Sequence, residues 1–180
     1  MQLKYISDLH LYDVASLWWR PNFSTLDSYA DNLLYTWNST VEDEQLVIIV
    51  GDLGTVCPKS ISVLEQLKGK KVLVIGNHDT PWLSVLHNNP MFQGLYQEIS
   101  GNGIVVRHIP DDQMHDTYFI HGHHHRYDMP GMHQALQQYI RDTRRLNCSA
   151  DQLRNKPMTI GELITNKEEL IHGYQERGII

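Results

Sequence analysis

A chain of 180 residues, 41% apolar and 20% charged, can build one packed core, which excludes an intrinsically disordered protein. Its formal net charge of −6 with histidine neutral argues against bulk attraction to nucleic acid or anionic membrane. Apolar runs such as Leu46 to Val50 are too short to span a bilayer. Cys57 and Cys148 stand far apart in no paired spacing, and Met1 to Ile6 runs straight into a strand. Reduced thiols, no leader and a cytoplasmic location are the expectations.

In chain order, Leu3 to Ser7 reads as a first strand that runs into Asp8-Leu9-His10. Leu11 to Arg20 is aromatic and irregular, with Tyr12, Trp18 and Trp19, and Pro21 closes it. Ser24, with Asp27 three residues on, predicts a helix start. Leu26, Tyr29, Ala30, Leu33, Leu34 and Trp37 recur at helical spacing behind it and predict one buried face. Leu46 to Val50 and Lys71 to Ile75 are continuous strand-forming runs joined by a helix over Ser60 to Lys68, which Gly69 ends. Such runs suit parallel strands covered on both faces. Leu95 to Ile99 and Ile104 to Arg107 flank Gly101-Asn102-Gly103, a hairpin signal. Tyr118 to Ile120 and Arg145 to Cys148 read as further strands, and Thr159 with Glu162 as a capping box opening a last helix. With no repeat, low-complexity tract or linker, residues 1–180 are expected to form one domain.

Nearly every strand ends in ligand chemistry. Asp8-Leu9-His10, Gly51-Asp52, Gly76-Asn77-His78-Asp79, His108 and Gly122-His123-His124-His125 follow one another along the chain. Singly, Asp-x-His and Gly-Asp are ordinary loop chemistry. Together they collect carboxylate, imidazole and amide oxygen at strand ends, where an α/β sheet places its site. With no thiolate among them, these donors suit Mn, Fe, Zn, Co or Ni. A carboxylate such as Asp52 can span two cations about 3.5–4 Å apart, an arrangement that clamps a phosphoryl group and acidifies a shared water.

This ordered set resembles the calcineurin-like metallophosphoesterase superfamily over nearly the whole chain. Arg20-Pro21 to Phe23-Ser24, Trp37-Asn38-Ser39 before Val41, and His108-Ile109-Pro110 also resemble a small bacterial and phage phosphoesterase subgroup. So does Leu146-Asn147-Cys148-Ser149 leading to Lys156-Pro157. The resemblance implies an α/β fold, a four-layer α-β-β-α sandwich with two mixed sheets flanked by helices. It implies two divalent transition metal ions, with manganese the one expected to serve in assays. Asp8, His10, Asp52 and His125 would hold one ion, and Asp52, Asn77, His108 and His123 the other. His78 would be the catalytic imidazole that is not a ligand, and Asp79 would fix its tautomer. The implied reaction is in-line attack on phosphorus by a hydroxide bridging the two ions. Arg107 stands where relatives often carry Ser, and Gly51 to Gly54 lacks the Asp-Arg-Gly of the protein Ser/Thr phosphatases, which argues against that branch.

Arg20 or Arg126 could grip a phosphate oxygen, and Trp18 could stack on a substrate ring, although packing of the first helix is the plainer use of the tryptophans. His124 is expected to point away from the metals, and His121 to be a packed strand residue. His87, His115, His133 and His172 read as surface histidines. The expected partner is a small phosphate ester or nucleotide, with no membrane and no extended nucleic-acid track. A catalytically silent scaffold on the same fold is the alternative, but such a chain would be expected to have lost His78 or several ligands. A histidine-rich metal buffer would need neither Asn77 nor an ordered bridge.

Overall fold

Strand-forming runs pair here in parallel because helices carry the chain back between them. The computed structural model describes residues 2–180, apart from the side chain of Asn88. Met1, which the first expected run includes, lies outside them. The first sheet holds β1 (Lys4–Ile6), β2 (Leu46–Val50), β3 (Lys70–Val74) and β4 (Leu95–Tyr96), in that order and all parallel. The second holds β5 (Ile99–Gly101), β6 (Ile104–Val106), β7 (Tyr118–His121) and β8 (Arg145–Asn147), with only β5 and β6 antiparallel. One apolar core runs between the sheets, joining Ile6, Ile49 and Leu73 to Val106, Ile120 and Leu146. Helices α1 (Ser16–Trp19), α2 (Leu26–Asn38), α3 (Pro58–Gln66), α4 (Trp82–Asn88), α5 (His133–Arg141), α6 (Ala150–Leu153) and α7 (Ile160–Glu176) complete the two four-stranded sheets. This is the α/β architecture expected, except that only the second sheet is mixed: the first is wholly parallel, because helices carry the chain back between each pair of its strands. The sheets are stitched at one edge, where Ser7 N–H donates to Cys148 O and Ala150 N–H to Ser7 O, both at 2.8 Å.

Three local readings shift. The α2 cap is Thr25 rather than Ser24: Thr25 is extended, its hydroxyl accepts from Ser28 N at 3.0 Å, and the Ser28 hydroxyl accepts from Thr25 N. Asp27 falls in the first turn, where a carboxylate favours the helix N-terminus. Within the supposedly irregular Leu11 to Arg20, Asp13 accepts from Ala15 N and Ser16 N and so starts the short helix α1. The hairpin arm Leu95 to Ile99 splits between the sheets. Leu95–Tyr96 satisfies the outer edge of β3, with Leu73 N–H donating to Gly94 O and Ile75 N–H to Tyr96 O, while Ile99–Gly101 alone pairs with β6. An unpaired buried strand edge costs more than a shorter hairpin. The Thr159–Glu162 capping box opens α7 as expected. Among the described residues, no helix is long and apolar enough to cross a membrane.

Candidate metal centre

The two parallel pairings bring equivalent strand ends side by side. Asp8, Asp52, His108 and His123 each lie two residues beyond the end of a strand, β1, β2, β6 and β7 respectively. The chain must turn abruptly there. Asp8 (φ 57°), His10 (φ 42°), Asp52 (φ 58°) and His123 (φ 68°) all adopt left-handed backbone, which costs an L-residue about 1–3 kcal/mol. The glycines before the ligands make room for them. A Cβ on Gly51 would lie 2.4 Å from His108 Nδ1, and one on Gly122 would lie 2.7 Å from Asp8 Oδ2.

All seven side chains expected as ligands converge. Asp8, His10 and His125 form one donor group, and Asp52, His108 and His123 another; within each, the ligand atoms lie within 4.8 Å of one another. Asn77 Oδ1 stands 3.0 Å from His108 Nε2. Asp52 Oδ2 sits between the groups, 3.6 Å from His10 Nε2 and 3.2 Å from His108 Nε2. Its other oxygen accepts the His78 backbone N–H at 3.0 Å. Asp8 is fully buried and accepts from the Ser7 hydroxyl and from His123 N.

Three imidazoles are aimed from behind. His10 Nδ1 meets Asp13 Oδ2 at 3.0 Å, His125 Nδ1 meets Asp151 Oδ2 at 2.8 Å, and His108 Nδ1 donates to Val50 O at 2.7 Å. A proton held on Nδ1 fixes the neutral tautomer in which Nε2, turned toward the centre, carries the lone pair. His10 Nε2 is buried and makes no hydrogen bond among the described residues. That orphaned atom, with two buried carboxylates beside it and no thiolate in the set, fits divalent transition-metal ions.

Burial works against the charges on Asp52 and His108, but their hydrogen bond and mutual attraction win. Asp52 is lowered to about 2 and His108 raised to about 9. In the metal-free chain, the His108 contribution to stability is fully present below the ordinary value of 6.5 and is lost as pH rises through about 9. The Asp52 contribution is present above 3.8 and is lost as pH falls through about 2. A cation at this position must displace the His108 proton. Apparent affinity should therefore rise by about tenfold per pH unit from 7 toward 9, with proton release in weak buffer. Calorimetric titration at several pH values reads both; flat affinity across that range would contradict the pairing.

Other expected residues land differently. His78 is exposed, its ring centroid 5.7 Å from that of His10, and its imidazole makes no hydrogen bond among the described residues. Asp79 does not orient that imidazole. Both its oxygens are taken by backbone, Oδ2 accepting from Asp52 N and Gly76 N, and Oδ1 from Leu53 N. It clamps the Asp52 and Asn77 loops together. Arg20 is no phosphate grip: it is 3% exposed, forks onto Asp151 at 2.6 and 3.1 Å, and donates to Asp8 O and Leu9 O. The Arg126 fork is likewise closed on Asp128, at 3.0 and 2.9 Å. Trp18 is 74% exposed, and the tryptophan at the centre is Trp19, with its ring 4.7 Å from His125 and 5.5 Å from His10. His121 is a buried strand residue bonded to Gly122 O. His124 packs against His121 and Tyr127, and burial among other imidazoles lowers it to about 4.

Asp13 and Asp151 were not foreseen. Asp13, three residues after His10, could have been suspected as a local partner. Asp151 lies 26 residues beyond His125, and no spacing rule links them. Burial opposes its charge, but His125 and Arg20 together hold its carboxyl below the usual range. Asp151→Asn is expected to weaken cation binding by about 10–100-fold. It should also cost roughly 3 kcal/mol in a denaturant melt of metal-free protein, because Arg20 loses its buried counter-charge. Unchanged metal affinity would remove Asp151 from the centre.

The sequence matches the calcineurin-like phosphoesterase family over residues 1–173, and the chain belongs to that family. It is 28% identical over 170 residues to an uncharacterised protein of Methanocaldococcus jannaschii, covering 88% of this chain and 87% of the relative. A crystal structure of a protein of unknown function from Aquifex aeolicus shares the fold with a TM-score of 0.67 at 22% identity, covering 90% of this chain and 97% of that one.

Proposed function

We propose that this chain is a dinuclear-metal-dependent phosphoric ester hydrolase acting on phosphomonoester or phosphodiester bonds of small substrates, nucleotides included. The observation that carries this reading is the position of Asp52 Oδ2 between His10 Nε2 and His108 Nε2, one from each donor group. Asp8, His10, Asp52 and His125 would hold one divalent ion, and Asp52, Asn77, His108 and His123 the other. Bound there, two such ions would supply Lewis-acid stabilisation of phosphoryl oxygens and an acidified water.

The protein's own groups do the rest. Asp13, Val50 and Asp151 keep the imidazole tautomers that leave Nε2 free. Asp79 and the backbone bond from His78 N to Asp52 hold the loops so that the His78 imidazole stands beside the centre. From there it donates a proton to the departing oxygen of the ester. The free thiols Cys57 and Cys148 are in keeping with a reducing, cytoplasmic setting.

Hydrolysis of p-nitrophenyl phosphate and bis-p-nitrophenyl phosphate by purified protein tests the reading. Activity should vanish with chelator and return with manganese. A fully metal-loaded protein inert on both, and on a panel of nucleotides, would overturn it.

A further inference from the structure

A cavity of about 460 Å³ lies behind the first ligand loop, a volume suited to a small organic ligand. None of the seven proposed metal ligands lines it. Its contact with the centre runs through Trp19, Arg20 and Asp151. Trp19 packs on His10 and His125, Asp151 bonds His125, and Arg20 reaches from the cavity wall to the carbonyls of Asp8 and Leu9.

Four guanidinium groups line this cavity against two carboxylates, in a chain that is acidic as a whole. The carboxylates are already committed. Asp151 is gripped by Arg20, while Asp128 is shared by Arg126 and, at 3.3 Å, by Arg177. The Arg154 guanidinium has no hydrogen-bonding partner or counter-ion among the described residues, and Arg177 shares its only carboxylate with Arg126. The surplus is therefore positive and sits on exposed guanidinium groups at the cavity wall. The same wall carries aromatic surface from the half-buried Phe23. Guanidinium forks recognise phosphate oxygens, and aromatic faces take up a flat ring.

We propose that this cavity is a second ligand site, separate from the metal centre, for a small organic phosphate monoester bearing an aromatic ring, as a nucleoside monophosphate does. The phosphate would lie on Arg154 and Arg177. Because Asp151 belongs both to the cavity wall and to the His125 support, a ligand here is placed to act on the centre without touching the ions. The inference does not require the chain to be a hydrolase, and its test measures binding alone.

The probe is the phosphonate analogue of adenosine 5′-monophosphate, in which a methylene replaces the ester oxygen, titrated calorimetrically into as-purified full-length protein. Neutral adenosine is the control. Saturable binding is expected, at least tenfold tighter than adenosine and weakening with salt. Arg154→Gln and Arg177→Gln, both surface changes, should each raise Kd by about tenfold, while Asn77→Ala should leave it unchanged. Several results would overturn the proposal: no binding at millimolar probe, adenosine binding equally well, or both arginine variants binding normally. Loss of binding in Asn77→Ala with retention in the arginine variants would place the probe on the metal centre and would also overturn it.

Discussion

Asp52→Asn is expected to weaken both cation positions together and to lower turnover by about 10³-fold, the scale for removing one electrostatic stabiliser. The reason is its geometry. Oδ2 lies 3.6 Å from His10 Nε2 and 3.2 Å from His108 Nε2, so one oxygen serves both donor groups. An amide removes the negative charge and leaves a weaker donor for either ion. The fold should persist, because an asparagine carbonyl can still accept from His78 N in place of Oδ1. His108, no longer bonded to the Asp52 carboxylate, should titrate lower than its present value of about 9. Metal analysis of the dialysed variant beside the wild type is the decisive measurement. Loss of one ion with the other fully retained would show that Asp52 belongs to one site alone.

Removal of the His78 imidazole has the second large effect. His78→Ala should keep both ions, since the Asp52 bond comes from the His78 backbone rather than its side chain. Turnover should fall by about 10²–10⁴-fold, the range for a positioned general acid. A proton donor matters most when the departing oxygen is basic. The loss should therefore be large for an alkyl phosphate and small for p-nitrophenyl phosphate, whose leaving group departs without help. A merely structural role would lower both by the same factor. Equal losses, or full activity on the alkyl ester, would remove the imidazole from the chemistry.

Asp79 shows where reading along the chain goes astray. Its place directly after His78 suggests an imidazole partner, yet a side chain one residue away faces a different direction. The carboxylate turns inward and collects three backbone N–H groups from two loops. Those donors engage both oxygens, and the His78 imidazole bonds neither. Arg20 fails as a phosphate grip for a similar reason. Its charge is spent on Asp151, 131 residues away, while Tyr29 covers its plane at 3.9 Å. Trp18 and Trp19 are neighbours in sequence, but one faces solvent and the other packs on His10 and His125.

Patterns carried by neighbouring residues were readable without coordinates. The runs at Leu46 to Val50 and Lys71 to Ile75, which form β2 and, shifted by one residue, β3, the buried face of α2 and the Thr159–Glu162 cap depend on local periodicity and local hydrogen bonds. So does the recurrence of Asp, Asn and His just past strand ends, which marks the donors. Folding alone chose what stands behind those donors: Asp151 under His125, Val50 O under His108, the clamp by Asp79, and the arginine-lined cavity beyond Trp19. These are meetings of groups tens of residues apart. They are decided by sheet order and register, through which side chains compete for the same buried partner, and no spacing along the chain records the winner.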